Sequence, residues 1–588
     1  MTMKTSLKSI IFLSVILTCC VSCDFLETPP SADLDETRVF SDRTLTERFL
    51  TGIYAEGVPL GFSMSSSGID RRLCGSSTLG SACDEAEEGA DWGEGNSCWN
   101  TDNHKNNGID WEEDPRHDLR WSTIRKCNIL LEKIDDVPYD AGDPDFNKRT
   151  KGEAYFLRAL VFWEGVYRYG GLPIIVERIN PGEFAEFPRN TFAECVDRIL
   201  KDCDMAAELL PDFYTDPTKL GRATRIAALA LKSRVLLYAA SPLFNTNTPY
   251  LPFPGHETLI GYGNYDNERW KAAADAAKEA IDAALFSGHY DLVRDQGVDK
   301  NYEYVWTVPD NKEIIFANKK YRNFKVTARP LVANLPSWAN NNWWTESGLY
   351  PTLNFVKFYE TKEGEKAAWS DNGGDNLLEI YNSLDPRFDQ TIVAHGSKWN
   401  DDVGILNFLN GGAHYVSVDK TKHLLRKWVP RSLKVVPPLN TVNIDWIVFR
   451  MAELYLNYAE ALNEYYAAPP QEAFDAVSAV RSRSGMPDFP RTLSKEEFRT
   501  RLRAERAVEL AFEDHRFWDI RRWLIAEDEG VMQGKMYGLK ISAINGDITK
   551  IHYEPYVFEN RSWSRRSYLH PIMQTEIDKG YLIQNPGW

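Results

Sequence analysis

The sequence predicts a mainly α-helical protein, a tetratricopeptide-like helical-repeat (α-solenoid) scaffold carrying large irregular loop insertions. Three observations lead there. Segments with an apolar period of three and four recur along the 588 residues. Two stretches read as helix pairs, one of them close to the ~34-residue tetratricopeptide unit. Two long stretches, about 56–117 and 287–440, lose the period and are rich in Gly, Asn, Asp, Pro and Trp. Long structureless connections in a folded protein usually carry function.

In chain order, helical periods fall near 42–55, 118–136, 150–169, 190–209, 222–240, 267–286, 447–466, 470–483 and 495–523. In 447–466, Val448, Met451, Ala452, Tyr455, Ala459 and Leu462 fall on one face. A short loop leads to a second helix with Ala473, Val477 and Val480, and 190–240 looks like another such pair. Its return helix, from Ala223 to Leu231, has the small residues that close helix packing needs. Stacked pairs of this kind bury each other's apolar faces. The expected organisation is a leader over 1–22 and one domain over 23–588. The helical scaffold is placed at about 40–240 and 445–588.

Composition narrows the function. There are 85 acidic against 68 basic residues, a formal charge of −17. A nucleic-acid binder needs clustered Lys and Arg, so this balance argues against one. It also argues against attachment to anionic lipid through a basic face. The chain holds 18 Trp, 27 Tyr and 28 Phe, a first hint of a stacking surface beyond the needs of a core. No G-x-S-x-G, HExxH or P-loop pattern is present.

The N-terminus reads as an address. Lys4 and Lys8 precede a short apolar run, Ile10–Leu17, too short to span a bilayer. It ends in Thr18-Cys19-Cys20-Val21-Ser22-Cys23, which resembles a bacterial lipoprotein processing site. Cys23 is then the acylated first residue, with a cut ahead of Cys20 as the competing reading. Stable anchoring takes more than one acyl chain. Cleavage removes two lysines and no acids, so the body becomes more acidic still and is held by lipid, not by charge. Of the remaining cysteines, Cys195 and Cys203 sit eight apart on a helix, about 12 Å at 1.5 Å per residue, beyond disulfide reach. Cys74, Cys83 and Cys98 lie in a loop-like segment where one pairing is open.

Several motifs together resemble the SusD/RagB family of outer-membrane nutrient-binding lipoproteins. They begin with Cys23-Asp24-Phe25-Leu26-Glu27-Thr28-Pro29-Pro30. Gly152-Glu153-Ala154-Tyr155-Phe156-Leu157-Arg158-Ala159 is followed by Tyr169-Gly170-Gly171-Leu172-Pro173. Arg189-Asn190-Thr191 opens a helix that ends Leu209-Leu210-Pro211, and Gly221-Arg222-Ala223-Thr224 leads on to Arg234. Later come Tyr458 to Glu464, Glu505-Arg506-Ala507-Val508-Glu509-Leu510, Arg516, Asp519 and Arg521-Arg522-Trp523. His570-Pro571-Ile572 and Gln584-Asn585-Pro586-Gly587-Trp588 close the set. Met573 replaces a common Pro, and the last residue is Trp where Tyr is usual.

The resemblance implies a lid-like lipoprotein on the outer face of the outer membrane, partnered by a SusC-like TonB-dependent transporter. It implies capture of oligosaccharide or polysaccharide, with peptides or another nutrient as the alternative, and no catalysis. An exported glycoside hydrolase is the weaker competitor; it would need two carboxylates about 5–10 Å apart. No cofactor is expected.

Sugars present C–H faces to aromatic rings and hydroxyl edges to Asn, Asp, Arg and Tyr. Two clusters fit such a site. The first is Trp92, Trp99 and Trp111 with Asn96, Asn100, Asp102 and Asn103. The second is Trp338, Trp343 and Trp344 with Asn340, Asn341 and Asn342. The pair Arg71-Arg72 supplies a local basic patch, with Arg72 a candidate ligand contact. Trp121, Trp163, Trp518 and Trp523 lie in helical motifs and read as core. The acidic run from Asp84 to Asp91 has the hard oxygens that calcium favours but no EF-hand spacing, and reads as a solvated loop. Glu505, Arg506, Glu509, Glu513, Arg516 and Asp519 read as an ion-pair ladder on one helix. Cys23→Ala is expected to move the protein from the membrane fraction to the soluble fraction with ligand binding unchanged; a variant that stays membrane-bound relocates or removes the acylation site.

Overall fold

The computed structural model describes residues 35–59, 79–89, 95–103, 114, 117–180, 186–319, 324–325, 349–415, 419–428, 431, 441–442 and 445–588. The helical frame begins with α1 (Glu36–Phe40), α2 (Arg43–Gly57), α3 (His117–Lys133), α4 (Phe146–Tyr169), α5 (Phe192–Leu209), α6 (Arg225–Ala240) and α7 (Glu268–Ser287). From α3 to α7 each helix packs on the next. After a long excursion the frame resumes with α12 (Met451–Tyr465), α13 (Gln471–Arg483), α14 (Lys495–Glu509) and α15 (His515–Arg522). The splice is α7, which packs on α6 on one side and α12 on the other. Besides Trp270 and Ile281, its buried residues are Ala273, Ala274, Ala276, Ala277, Ala280 and Ala284, small enough to admit a neighbour on both flanks.

Caps set the helix starts. Thr191 and Glu194 form a reciprocal capping box at α5, and Ser494 with Glu497 forms another at α14. The Tyr169-Gly170-Gly171 motif ends α4 for a steric reason. Gly170 has φ +79°, and a Cβ at Gly171 would stand 2.0 Å from the Asn190 carbonyl. That close approach lets Arg189 donate to the carbonyls of Gly171 (2.7 Å), Tyr169 (2.8 Å) and Ile583 (2.8 Å). Asn585 of the closing motif donates to Tyr169 O and His570 O. Arg158 grips Asp202 with two bonds, and Arg234 grips Glu453. The motif residues that carry the family resemblance are thus buried ties between distant parts of the chain.

Four expectations change. Residues 446–450 (Trp-Ile-Val-Phe-Arg) are a strand, β8, not the start of a helix, and pair with β2 (Ile314–Asn318). A short apolar run buried throughout does not reveal its type by period. The 495–523 period is two helices, broken at 510–514, where Phe512 and Asp514 have φ +57° and +64°. The block 445–588 is not all helical: β9 (Gly534–Ile544) and β10 (Asp547–Arg561) form a long hairpin. Its two-residue turn, Asn545-Gly546, has positive φ at both positions, as a type I′ turn requires. The 287–440 stretch is also structured in part. It holds α8 (Asn301–Thr307), α9 (Leu353–Val356), α10 (Leu377–Ser383) and α11 (Arg387–Thr391), with β5 (Ile392–Ala394) on β6 (His423–Leu425) and β3 (Phe324–Lys325) on β7 (Thr441–Val442).

A buried ionic cluster fastens that stretch to the frame. Arg450 at the end of β8 meets Glu313 (2.9 Å), Glu509 (2.6 Å) and Glu513 (2.8 Å). Arg387 of α11 meets Asp385 (2.7 Å), Glu505 (2.5 Å) and Glu509 (2.9 Å). Arg483 bonds Glu313 and Glu509, Arg481 bonds Glu505, and Lys427 bonds Glu513. These side chains are at most 2% exposed. The expected ladder is therefore corrected. Its acids are structural, as read, and Arg506 does meet Asp519 (2.7 Å), but Glu505, Glu509 and Glu513 take their partners from β8, α11, α13 and Lys427 and not from one helix. Burial alone would raise the Glu505, Glu509 and Glu513 carboxyls; the guanidiniums hold all three below the usual range. Removing one partner of such a cluster strands a buried charge. Arg450→Ala should lower the unfolding free energy by about 3–5 kcal/mol in urea denaturation, and a loss below ~1 kcal/mol would mean that the pairs are dispensable.

Candidate functional site

The two segments singled out by sequence meet at a small ladder. Strand β1 (Ala86–Glu88) pairs antiparallel with β4 (Leu349–Pro351), with Glu88 opposite Leu349. The chain therefore leaves β1 toward Trp92 and reaches β4 from Trp344 at the same end of one ladder. Trp92 lies four residues beyond Glu88, and Trp344 five residues before Leu349. Trp92, Trp111, Trp338, Trp343, Trp344, Arg72 and Cys23 themselves lie outside the described residues. Thr352 locks the join, its N–H to Glu85 O (3.1 Å) and its hydroxyl to Asp84 O (2.5 Å).

The acidic run that builds β1 is not solvated. Asp84, Glu85, Glu87 and Glu88 are at most 1% exposed. Asp84 accepts two bonds from Arg516 (2.9 and 2.6 Å), and Glu87 meets Lys420 (3.0 Å) and Arg561 (3.2 Å). Arg561 also donates to the carbonyls of Cys83 and Ala86. These counter-charges come from far along the chain, so the run looks solvent-seeking in sequence and is internal in the fold. Glu85 accepts the Phe512 N–H (3.0 Å). Burial pushes its carboxyl up to about 8, opposed by that bond and by Arg516, reinforced by Asp84 and Asp514.

Trp99 and Asn100 are corrected as well. Trp99 is 1% exposed. Its ring sits edge-on to Phe517 (5.1 Å between centroids) and beside His570 (5.5 Å), with the Arg521 guanidinium 5.3 Å away. Asn100 is fully buried, its carbonyl accepting the Ser562 N–H (2.9 Å) and its amide near Glu559 (3.5 Å). Asp102 accepts the Ser567 hydroxyl (2.6 Å). A short helical turn, Gly95–Trp99, gives the indole a core that α15 has already built. These residues staple the first segment to the C-terminal chain, and Trp99 and Asn100 do not meet solvent. Trp163, Trp518 and Trp523 are buried, as expected, and Trp121 is half-buried against the core. Cys83, Cys127, Cys195 and Cys203 are buried thiols; Cys83 lies against Gly80 O and Glu85, without a disulfide.

A large cleft lies elsewhere. It is about 910 Å3, between α3, α4 and α5, with Tyr155, Arg158, Arg178, Arg198, Lys201 and Met205 among its walls. Arg158 and Arg178 there are already paired, with Asp202 and with Glu36 and Glu132. A recess lined by Pro59, Tyr167, Tyr238, Trp446 and Trp518 measures about 60 Å3, room for about two waters. Among the described residues no three His, Cys, Asp or Glu converge as metal ligands, and no helix is long and apolar enough to cross a membrane.

The stacked-helix frame is that of a known class. The model of the SusD family matches residues 291–588, and a second family model, described as starch-binding and associating with the outer membrane, matches residues 24–237. The chain belongs to the SusD family. It is 24% identical over 437 residues to SusD-like protein P38 of Formosa agariphila, covering 69% of this chain and 72% of that one. A SusD-like protein of Bacteroides fragilis is 27% identical and superposes with a TM-score of 0.73 over 94% of this chain and 98% of its own. A laminarin-binding SusD-like protein superposes with a TM-score of 0.56 at 21% identity, over 93% and 99%.

Glu85 makes the ladder's foundation sensitive to alkali. Its folded carboxyl keeps a proton up to about 8, whereas an unfolded one releases it near ~4.3. That contribution is fully present below ~4 and is lost as pH rises through about 8. Glu85→Gln keeps an acceptor for Phe512 N–H and never ionises. Thermal denaturation should show the variant on the order of a few kcal/mol more stable than the parent at pH 9, with little difference at pH 4; equal pH slopes would contradict the assignment.

Proposed function

We propose that the protein is a cell-surface glycan-binding lipoprotein, held on the outer membrane through Cys23, that captures oligosaccharides and passes them unchanged to a SusC-like TonB-dependent transporter. The β1–β4 ladder carries this reading. It pairs Glu88 with Leu349, and the sequences that follow the one and precede the other are rich in Trp and Asn, whose rings stack on sugar faces and whose amides bind their edges. Membership of the SusD family and a laminarin-binding relative support neutral polysaccharide as the ligand class.

Catalysis is not part of the proposal. The conspicuous carboxylates of the C-terminal helices are engaged by Arg387, Arg450, Arg481, Arg483 and Arg522. Of the acids at β1, Asp84 is held by Arg516 and Glu87 by Arg561 and Lys420. A glycosidase needs one carboxyl poised to donate a proton and a second poised to attack or activate water, and acids locked in ion pairs do neither.

The test is native gel electrophoresis of the soluble form lacking residues 1–23 through a panel of neutral polysaccharides that includes starch and laminarin. The reading expects retardation in at least one, with no reducing ends released on incubation. Retardation by none, or turnover, overturns it. Trp343→Ala with Trp344→Ala should weaken the retained glycan's binding at least ~10-fold, since each stacked ring is worth about 1 kcal/mol or more, while the melting temperature holds. Normal binding by that double variant would move the site off the second segment.

A further inference from the structure

Three tyrosines stand together at a corner that the function above does not use. Tyr265 and Tyr466 are 49% and 47% exposed, and Tyr465 is half-buried. Tyr465 and Tyr466 end α12, with ring centroids 4.9 Å apart and planes at 77°. Tyr265 comes from the loop between α6 and α7. One amide joins the two elements: Asn267 accepts the Tyr265 hydroxyl (3.0 Å) and donates to Tyr465 O (3.2 Å). Asn247 accepts the Tyr265 N–H (2.9 Å), and the Tyr465 hydroxyl reaches Glu268 (3.3 Å). The Tyr265 and Tyr465 rings are therefore tethered before any ligand arrives, and Tyr466 packs edge-on against Tyr465, so binding them costs little side-chain entropy.

Singly exposed apolar groups need no explanation, but a preset cluster does. Tyrosine combines an apolar body with a polar tip. Beside the rings, Asn264 Oδ1 accepts from Arg269 (3.0 Å) and Glu464 is held by Arg499 (2.6 Å), so the tyrosine rings and hydroxyls are the groups the corner offers. The corner lies at the opposite end of α12 from β8. Helix α12 starts directly after Arg450, the last residue of β8, and ends at Tyr465. Its 15 residues span about 22 Å at 1.5 Å each.

We propose that the Tyr265–Tyr465–Tyr466 corner is an accessory stacking patch for a second stretch of the same neutral glycan chain. This rests on the reading of the protein as a glycan binder and adds where a long chain is held. A short oligosaccharide cannot reach from one end of α12 to the other; a polymer can. Two linked contacts on one chain raise overall avidity by about 10²–10⁴-fold without any new contact at the first. The patch therefore selects for chain length.

The experiment compares the soluble form with Tyr265→Ala/Tyr466→Ala and with Tyr265→Phe/Tyr466→Phe. Each is run in native gels containing the panel polysaccharide that retards the parent most, and each is titrated calorimetrically with a trisaccharide of the same polymer. The alanine pair should lose at least ~10-fold in apparent polymer affinity, keep trisaccharide affinity within about twofold, and keep its melting temperature. The phenylalanine pair should bind polymer like the parent, because the stacking face remains. Unchanged polymer retention by the alanine pair overturns the patch and leaves the glycan-binding reading standing. Equal loss for polymer and trisaccharide also overturns it, by placing the tyrosines in the primary contact. A parent retarded by no polysaccharide overturns both.

Discussion

The cluster around Glu509 and Arg450 is the constraint on which the rest depends. Glu509 accepts from Arg387, Arg450 and Arg483, which arrive from α11, the end of β8 and α13. Taking such charges out of water costs several kcal/mol per ion, and only good geometry with every lone pair used recovers it. The cluster is therefore intolerant of partial formation. It also fixes the path of the chain beyond Glu509. Directly after α14 the backbone turns through Phe512 and Asp514 in left-handed conformation, which aims the Phe512 N–H at Glu85 and the Asp514 carboxylate at the Leu79 N–H. The first segment is thus referenced to the same cluster that references the second, and the ladder of β1 with β4 is the result.

The aromatic residues divide by chemistry. Among the described residues, the tryptophans are buried or half-buried and several surround cations: Arg521 lies within 6.0 Å of the rings of Trp99, Phe517, Trp518 and Trp563. Such contacts let an arginine stay charged inside the protein. The described rings that reach water are mostly tyrosines, whose hydroxyl keeps its hydration or finds a polar partner. A high aromatic content therefore did not by itself mark a ligand surface, and Trp99 shows the cost of treating it so.

Much of the frame was legible because helix signals are local. The periods over 150–169, 190–209, 222–240 and 470–483 mark real helices, and the motif arginines and glycines proved to be ties whose need is steric. The Asn545-Gly546 turn between alternating apolar residues was equally local and marks the hairpin that the helical reading passed over. What could not be read was charge pairing. Nothing near Asp84 or Glu87 in sequence announces Arg516 or Arg561, over 400 positions away, so a buried acidic strand looks like a solvated loop. The same blindness turned a cluster drawn from four elements into a ladder on one helix. For the candidate site, the sequence identified the two segments but not their junction, because a three-residue strand such as Ala86–Glu88 carries too little pattern to suggest its partner.

Hydrogen–deuterium exchange of the soluble protein, with and without the polysaccharide that retards it, tests the central claim most directly. If the ladder brings both segments to one ligand, then glycan must slow exchange in peptides covering 89–103 and 326–352 together, at the same half-saturating concentration. Protection of one segment without the other, or protection confined to the helical frame, would contradict a shared site at the β1–β4 junction.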